Sequence, residues 1–438
     1  MSGELTQLAA VGHQDAWLTE KPDITLFKGS YKRHTNFAIG NFEQSFNTAV
    51  GYDKRMEATI GRNGDLVYQM YVVLELAALT STNANVRTNP TDPNTPYVPA
   101  PGSNYSPYHL SYCNAVGHAL IETVEVIIGG HKFDRHTGDF MNIYESLSRP
   151  VGKELGAIVG QAATPGELDD LRMRDQRLYV PLLFWFNRFR EKVLPLIALQ
   201  YHDVKLILKT RKKEEVIVLG TAIDPSVTSG AAGYSGGEMV NAYLLVNYVF
   251  LDGGERKLFA QHQHEYLIDQ LQFNGHESKA STKTQFNIPL NFNHPVKEII
   301  WVIQQQSAIQ AKEYFNYEGA PDWSAGASTG LNNTYDPLIH AGLMLNGHDR
   351  FQHHAGPYYR QITALESHTR IPNNFIYLYS FSLNPESWRP EGSCNFSRID
   401  TAVLQLTTQA FEGEIRIYAR NVNVMKVTSG MAGLRYAN

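Results

Sequence analysis

The chain has 438 residues, of which 43% are hydrophobic and 18% charged, and its net charge is −5 at pH 7. This composition predicts a soluble globular protein, and the absence of any run of roughly 20 apolar residues argues against a membrane-spanning helix. The acidic balance argues against direct packaging of nucleic acid, which needs a basic surface. Two cysteines, Cys113 and Cys394, cannot form a disulfide framework. Because the first residues also lack a secretory pattern, we expect folding in a reducing compartment.

Short apolar or alternating segments predict β-strands in both halves of the chain. In chain order they are 68–76, 121–128, 286–292, 298–303, 376–383, 402–407 and 414–419. Helical periodicity is confined to 138–149, 166–174 and 255–264. The pattern therefore predicts an all-β protein with a few short helices.

Three long polar segments, at 80–111, 219–238 and 304–335, separate these strands. Loops of this length are usually functional or mobile, and their polarity places them on the surface. Near the middle of the chain, a Gly-Gly break and a short polar helix at 253–264 precede the next strand-like segment. This position is the predicted boundary between two domains.

One local pattern occurs twice, as VIIGGHKFDRH at 126–136 and as LMLNGHDRFQH at 343–353. Gly130 and Gly347 are 347 − 130 = 217 positions apart, about half of the chain. Both dipeptides, Gly129-Gly130 and Asn346-Gly347, are of the kind that forms tight hairpin turns with positive φ. We therefore predict structurally equivalent turns in two related halves.

Two further pairs of segments occur in matching order in the two halves. RNGDLVYQMYVV at 62–73 corresponds to FNHPVKEIIWVI at 292–303, and LIALQYHDVKLIL at 196–208 corresponds to CNFSRIDTAVLQL at 394–406. The spacing between the pairs differs, as expected of a duplication whose loops have changed in length.

The sixteen histidines raise the possibility of a metal or catalytic site. His262 and His264 form a His-x-His pair followed by Glu265, as in metal-binding cupins. Adjacent residues of a strand face opposite sides, however, so Glu265 would not join His264 as a ligand. Solvent-facing histidines beside a domain boundary are the favoured interpretation.

The histidines of the repeated pattern, His131 and His348, have Asp134 and His136 near the first of them. Such groups could stabilise the turns or form half of an acid–base pair. Neither half supplies a nucleophile or a second carboxylate at a recognisable spacing. The sequence therefore predicts no catalytic residue, no metal site and no cofactor.

Asn-x-Ser/Thr sequons occur at Asn104, Asn332 and Asn395. The first two lie in long polar segments and are the better candidates for glycosylation, whereas Asn395 leads into a predicted strand. Aromatic residues concentrate in strand-like segments, which favours core packing over a carbohydrate-binding platform.

The ordered set of motifs resembles the major capsid proteins of nucleocytoplasmic large DNA viruses, especially those of phycodnaviruses. The matching segments run from one end of the chain to the other: QDAWLTEKPDITLFKGSYKRHTNFA (14–38), RNGDL (62–66), IGGHKFDRH (128–136), RLYVPLLFWF (177–186), LPLIALQYHDVKL (194–206), HEYLIDQLQF (264–273), LNFNHP (290–295), LNGHDRF (345–351), YLYSFSL (377–383), GSCNFSRID (392–400) and SGMAGLRYAN (429–438).

This resemblance implies a double jelly roll, in which two eight-stranded antiparallel sandwiches follow each other. The implied parts are an N-terminal arm (1–25), a first jelly roll (26–252), a linker helix (253–264) and a second jelly roll (265–438). Trp17, Phe27 and Tyr31 would supply contacts of the arm.

The resemblance also implies the function of a structural capsid subunit. Homotrimers would form pseudo-hexagonal capsomers of an icosahedral shell, in contact with neighbouring capsomers and with minor capsid proteins beneath them. Assembly would occur in the host cytoplasm, without direct nucleic-acid binding or membrane insertion. A cupin-like metal-dependent enzyme and a carbohydrate-binding module remain the alternatives.

Overall fold

The computed structural model describes residues 2–81, 110–161, 175–219, 234–318 and 336–436. Its contacts divide the chain into two compact units, Met1–Phe37 and Ala38–Asn438. The first of these, called here the N-terminal unit, contains the predicted arm and extends beyond residue 25 to Phe37. It has two short helices, Gly3–Ala9 and Ala16–Thr19.

In the first half of the larger unit, most of the strands belong to one of two sheets. The strands are β1 (Phe37–Ser45), β2 (Arg55–Thr59), β3 (Leu66–Leu76), β4 (Leu79–Ser81), β5 (Leu110–Tyr112), β6 (Ile121–Ile128), β7 (His131–Thr137), β8 (Gln176–Pro181), β9 (Val204–Thr210), β10 (Ile217–Leu219), β11 (Tyr234–Gly236) and β12 (Met239–Leu251). The two four-stranded sheets have the orders β1-β12-β3-β8 and β2-β9-β6-β7.

The second half repeats this arrangement. Its strands are β13 (His264–Lys279), β14 (Gln285–Pro289), β15 (Pro295–Gln305), β16 (Leu338–Leu345), β17 (His348–Ala355), β18 (Ile376–Ser380), β19 (Cys394–Asn395), β20 (Ala402–Thr408), β21 (Gly413–Thr428) and β22 (Met431–Leu434). The sheet orders are β13-β21-β15-β18, to which β19 and β22 add, and β14-β20-β16-β17.

The two halves have the same strand order once the short strands are set aside. Within each half, the first, eighth, third and sixth long strands form one sheet, and the second, seventh, fourth and fifth form the other. The pairings β12–β3, β3–β8, β2–β9, β9–β6 and β6–β7 of the first half are antiparallel, as are those of the second half. The fold is therefore the predicted double jelly roll, and we call the two halves the first and second sandwich.

The three repeated sequence patterns lie on equivalent strands of the two sandwiches. The pair at 62–73 and 292–303 covers β3 and β15, which hold the same place in their sheets. The VIIGGHKFDRH and LMLNGHDRFQH motifs form the β6–β7 and β16–β17 hairpins, and the remaining pair leads into β9 and β20. The duplication visible in the sequence is thus a duplication of structure.

Each sandwich has its own hydrophobic core, but one helix crosses from the first to the second. The helix Gly138–Ser148 begins after Thr137, whose hydroxyl accepts a hydrogen bond from the Phe140 amide at 3.2 Å. Most of its apolar side chains join the core of the second sandwich, whereas Met141 packs into the core of the first. The four that join the second core are Phe140, Ile143, Tyr144 and Leu147. The chain therefore builds the second core partly from the first half of its sequence.

Several predicted boundaries differ from the observed ones. The strand predicted at 376–383 ends three residues earlier, because β18 covers Ile376–Ser380. The linker helix spans Gly253–Gln261, shorter than the predicted 253–264, and His264 already belongs to β13. The predicted helix at 166–174 lies outside the described residues. Across the part of the chain that is described, no helix has the length and apolarity needed to cross a membrane.

Candidate assembly site at the junction of the two sandwiches

A buried aspartate links the two sandwiches through two arginines. Asp139 lies at the start of the crossing helix, and its Oδ2 accepts a hydrogen bond at 2.9 Å from Nη1 of Arg416, on β21 of the second sandwich. Arg211, which follows β9 of the first sandwich, places Nη2 3.4 Å from the same oxygen. The Asp139 and Arg416 side chains are only 8% and 5% exposed, so this ion pair is shielded from solvent.

A second buried carboxylate, Asp269 on β13, is surrounded by four cations. Arg420 lies 3.4 Å away, Lys297 3.6 Å, Arg188 3.7 Å and Lys192 3.8 Å. Burial by itself would raise the pKa of Asp269, but the four positive charges outweigh it and lower the pKa. Because Arg188 and Lys192 come from the first sandwich, the cluster also spans the junction.

His368 lies between two carboxylates next to this cluster. Its Nε2 is 2.7 Å from Oε2 of Glu298, and its Nδ1 is 2.7 Å from Oε1 of Glu386. Burial alone would lower the pKa of His368, but its ion pairs and hydrogen bonds with the two glutamates raise it to about 9. Arg420 donates a hydrogen bond to the other carboxylate oxygen of Glu298. This bond connects His368 and its two glutamates to the cluster around Asp269.

Hydrogen bonds that involve the backbone connect the sandwiches at further points. The Leu271 amide donates to Oδ1 of Asp134 at 3.0 Å, and the Tyr314 hydroxyl donates to the Glu215 carbonyl at 3.0 Å. In each of these hydrogen bonds, one residue belongs to the first sandwich and the other to the second. The junction is therefore a continuous interface within the chain.

A cleft of about 920 Å³ opens beside the junction, between the sheet that contains β6, β7 and β9 and the strands β13 and β21. Its charged lining is balanced, with six acidic and six Lys or Arg side chains: Asp53, Glu122, Asp134, Asp139, Glu215, Glu414, Lys132, Arg135, Lys209, Arg211, Lys212 and Arg416. Five of them form ion pairs with one another: Lys209 with Glu122 at 2.7 Å, and Arg211 and Arg416 with Asp139. This balance gives the cleft no net preference for an anionic or a cationic ligand.

The His-x-His pair near the linker helix has protein partners. His264 Nε2 is 2.7 Å from the Phe259 carbonyl oxygen, and His262 Nδ1 is 3.1 Å from the Leu258 carbonyl oxygen. Glu265 faces Arg435 at 3.5 Å instead. Among the described residues, no group of three or more His, Cys, Asp and Glu side chains could hold a metal ion.

The two repeated dipeptides form the turns of equivalent hairpins. Gly129 and Gly130 have φ values of +58° and +85°, and Asn346 and Gly347 have +49° and +80°. Positive φ at both central residues defines the two-residue turn whose twist matches that of a hairpin. The Asn346 side chain also accepts hydrogen bonds from the Asp400 and Thr401 amides, at 2.9 and 3.0 Å.

Comparison with known proteins places the chain in one family. The family model "Major capsid protein N-terminus" matches residues 25–252, and the model "Large eukaryotic DNA virus major capsid protein" matches residues 255–433. The chain is 35% identical to the major capsid protein of Phaeocystis pouchetii virus and 34% identical to that of Paramecium bursaria Chlorella virus 1, with 100% of each chain covered. The chain belongs to the family of major capsid proteins of large eukaryotic DNA viruses.

Solved structures show the same relationship. A chain of the PBCV-1 virus capsid quasi-atomic model matches with a TM-score of 0.74 and 32% identity, over 94% of this chain and 100% of that one. The Faustovirus major capsid protein shares the fold, with a TM-score of 0.70 at 14% identity, over 95% of this chain and 94% of that one. This capsid protein is thus a structural component of the virion, and its relatives are structural proteins rather than enzymes.

The histidines of the repeated motif in this capsid protein do not form a pair of matching sites. His131 and His348 are exposed, whereas Asp134 and His136 are buried, with Nε2 of His136 2.9 Å from Oδ2 of Asp134. The His136 ring stacks on Phe184, with centroids 4.6 Å apart. These contacts give Asp134 and His136 a role in packing.

Other predicted residues lie on the surface or outside the described part of this capsid protein. Asn104 and Asn332 fall outside the described residues. Trp17, Phe27 and Tyr31 of the N-terminal unit are 93%, 98% and 92% exposed.

The charged residues of the junction were not predicted from the sequence. A signal was present in the segment PVKEIIWVI, where Lys297 and Glu298 interrupt an otherwise apolar strand and are both buried. Arg416 and Arg420 likewise stand four residues apart on β21, a spacing that places both on one face of a strand. Buried charges in a strand need partners, so these positions indicate an internal ionic network.

Proposed function

We propose that three copies of this capsid protein form a ring-shaped capsomer with a near-hexagonal outline. The observation that carries the proposal is the identical strand order of the two sandwiches within one chain. Three chains then present six similar units, which matches the outline needed to tile a large icosahedral shell. Within a closed ring, the first sandwich of one copy meets the second sandwich of the next.

The buried junction supports this proposal because it fixes the angle between the two sandwiches. Replacing the partners of a buried charge is costly, so the ion pairs at Asp139 and Asp269 oppose hinge motion. A rigid pair of sandwiches is what a ring of defined geometry requires. Capsomers that vary in internal angle would not tile a shell.

The second sandwich carries exposed apolar side chains that suit a contact between copies. Ile362 and Leu365 are 44% and 65% exposed, and Leu383 and Trp388 are 82% and 40% exposed. The hydrogen bond between His368 and Glu386 brings the helix Thr363–Ser367 close to the loop that carries Leu383 and Trp388. Obligate interfaces of this kind typically bury more than about 2,000 Å².

We also propose where the parts of the chain lie in the capsomer and which partners they contact. The parts are an arm (1–25), a first jelly roll (26–252), a linker (253–264) and a second jelly roll (265–438). Trp17, Phe27 and Tyr31 would contact neighbouring chains or minor capsid proteins beneath the capsomer. The long polar segments with Asn104 and Asn332 would face outward, and assembly would occur in the host cytoplasm.

Native mass spectrometry of the purified protein tests the trimer. The expected species has three times the monomer mass of 49.2 kDa. Replacing Leu365 and Leu383 by Asp should shift the protein to monomers with an unchanged circular dichroism spectrum. Glu366→Ala, on the same helix, is the matched control and should stay trimeric. A stable monomer of the unaltered protein under all assembly conditions would contradict the proposal.

A further inference from the structure

The N-terminal unit has no interior of its own. No residue from Ser2 to Phe37 is buried, and its helices have only seven and four residues. Six of its large apolar side chains are between 76% and 98% exposed: Leu8, Trp17, Leu18, Leu26, Phe27 and Tyr31. Helices this short are unstable without packing, so an ordered N-terminal unit needs a surface supplied by another molecule or by another part of the assembly.

The charges of this unit are divided along the sequence. Residues 2–23, called here the acidic segment, contain four acidic residues and one lysine, which gives a net charge of 1 − 4 = −3. Residues 24–36, called the basic segment, contain Lys28, Lys32 and Arg33 and no acidic residue, which gives +3. The unit is neutral as a whole but strongly polarised.

This separation of charge restricts the kinds of surface to which the N-terminal unit can bind. An anionic surface such as a lipid bilayer or a nucleic acid attracts the basic segment but repels the acidic one. A second copy of the same unit offers a complementary charge to both segments. We propose that the N-terminal units of neighbouring copies pair head to tail, with the acidic segment of one against the basic segment of the next.

The aromatic residues fit this pairing. Trp17 lies within the acidic segment, and Phe27 and Tyr31 lie beside the lysines of the basic segment. Head-to-tail pairing brings Trp17 of one copy near Lys28 or Lys32 of the next, where cation–π contacts and burial of the lysine stems become available. In a closed ring, the acidic segment of each copy binds the basic segment of the next copy, so every charged segment has a partner. This inference rests on the proposed trimer for the number of copies.

Hydrogen–deuterium exchange of the full-length oligomer tests the pairing through amides of residues 3–34. Reversing the basic segment with K28E, K32E and R33E makes both segments −3 and should speed exchange there by roughly tenfold or more. Adding E4K, D15K and E20K makes the acidic segment +3, which restores complementarity and should restore protection. The matched control, K153E with K257E and R398E, reverses three exposed charges elsewhere and should leave exchange in residues 3–34 unchanged.

Three results would overturn the pairing: unprotected amides in the unaltered oligomer, protection retained after the basic segment is reversed, or no recovery after both segments are reversed. Protection that appears only on addition of vesicles containing phosphatidylserine would assign the unit to a membrane surface instead. Native masses separate this inference from the proposed trimer. A trimer with unprotected amides contradicts only the pairing, whereas protected amides in a species that is not trimeric contradict only the trimer.

Discussion

Gly138 and Gly356 occupy the same position in the two sandwiches of this capsid protein. Each follows the fifth long strand of its sandwich, and each packs against the backbone at the start of the fourth. A Cβ on Gly356 would lie 2.5 Å from the Leu338 carbonyl oxygen, and one on Gly138 would collide with the carbonyl oxygens of His118 and Ile121. A close approach of backbone to backbone has therefore been kept in both copies of the repeat.

Gly138→Ala and Gly356→Ala should each destabilise the protein by roughly 1–3 kcal/mol, because backbone atoms cannot move aside as a flexible side chain can. Chemical denaturation measures the change. Gly254→Ala is the matched control, since nothing lies within 4 Å of its added Cβ and it sits in the linker helix. Equal stability of all three variants would contradict the equivalence of the two glycines.

Gly130→Val and Gly347→Val should destabilise the two hairpins by roughly 1–2 kcal/mol each. Both glycines have open space around an added Cβ, so the cost comes from the positive φ alone and not from a clash. Thermal unfolding of the purified variants measures it. Gly130→Asn, which tolerates this backbone conformation better, serves as the control and should recover most of the loss.

Asp139→Asn should cost on the order of 3 kcal/mol, because it leaves the buried Arg416 and the partly buried Arg211 without their shared carboxylate. The control is Glu57→Gln, which breaks the pair with Lys205 on the surface of the first sandwich, where the two side chains are 31% and 42% exposed. That change should cost about 0–1 kcal/mol. Similar values for both variants in chemical denaturation would mean that the junction pair contributes no more than a surface pair.

The free energy of unfolding should fall as the pH rises from about 6.5 towards 8. The folded state raises the pKa of His368 to about 9, so its stabilising charge is fully present below the unfolded value of 6.5 and is lost through the folded value. Burial lowers the pKa of Lys297 to about 8, and deprotonation of that lysine has the opposite effect on stability above this pH. Burial lowers the pKa of His118 to about 4, so its opposing effect falls mainly below pH 6.5. Between these two groups, at roughly pH 7 to 7.5, the histidine at 368 dominates the pH dependence.

His368→Gln should flatten the pH dependence in this window, as measured by denaturant titrations at closely spaced pH values. His262→Gln, which alters an exposed histidine, is the control and should keep the slope of the unaltered protein. An unchanged slope in His368→Gln would show that another group causes the pH dependence.

Local sequence patterns predicted much of the fold. The segment 121–128 coincides with β6, and the helix predicted at 138–149 differs from Gly138–Ser148 by one residue. The dipeptides Gly129-Gly130 and Asn346-Gly347 lie at hairpin turns because the demand for positive φ is local and readable in the residue types. Boundaries were less accurate where apolar residues continue past the end of a strand, as Phe381 and Leu383 do after β18, because apolarity alone does not mark where a strand ends.

The sequence by itself determined that this protein is a duplicated β-structure with the motifs of a capsid protein family, because strand periodicity, turn residues and repeats are properties of neighbouring positions. Only the tertiary structure decided how the halves are joined. Asp139 and Arg416 are 277 positions apart, and the residues around either one do not identify the other as its partner. Their pairing depends on the crossing helix packing into the second sandwich, a long-range contact that arises only when both cores have formed.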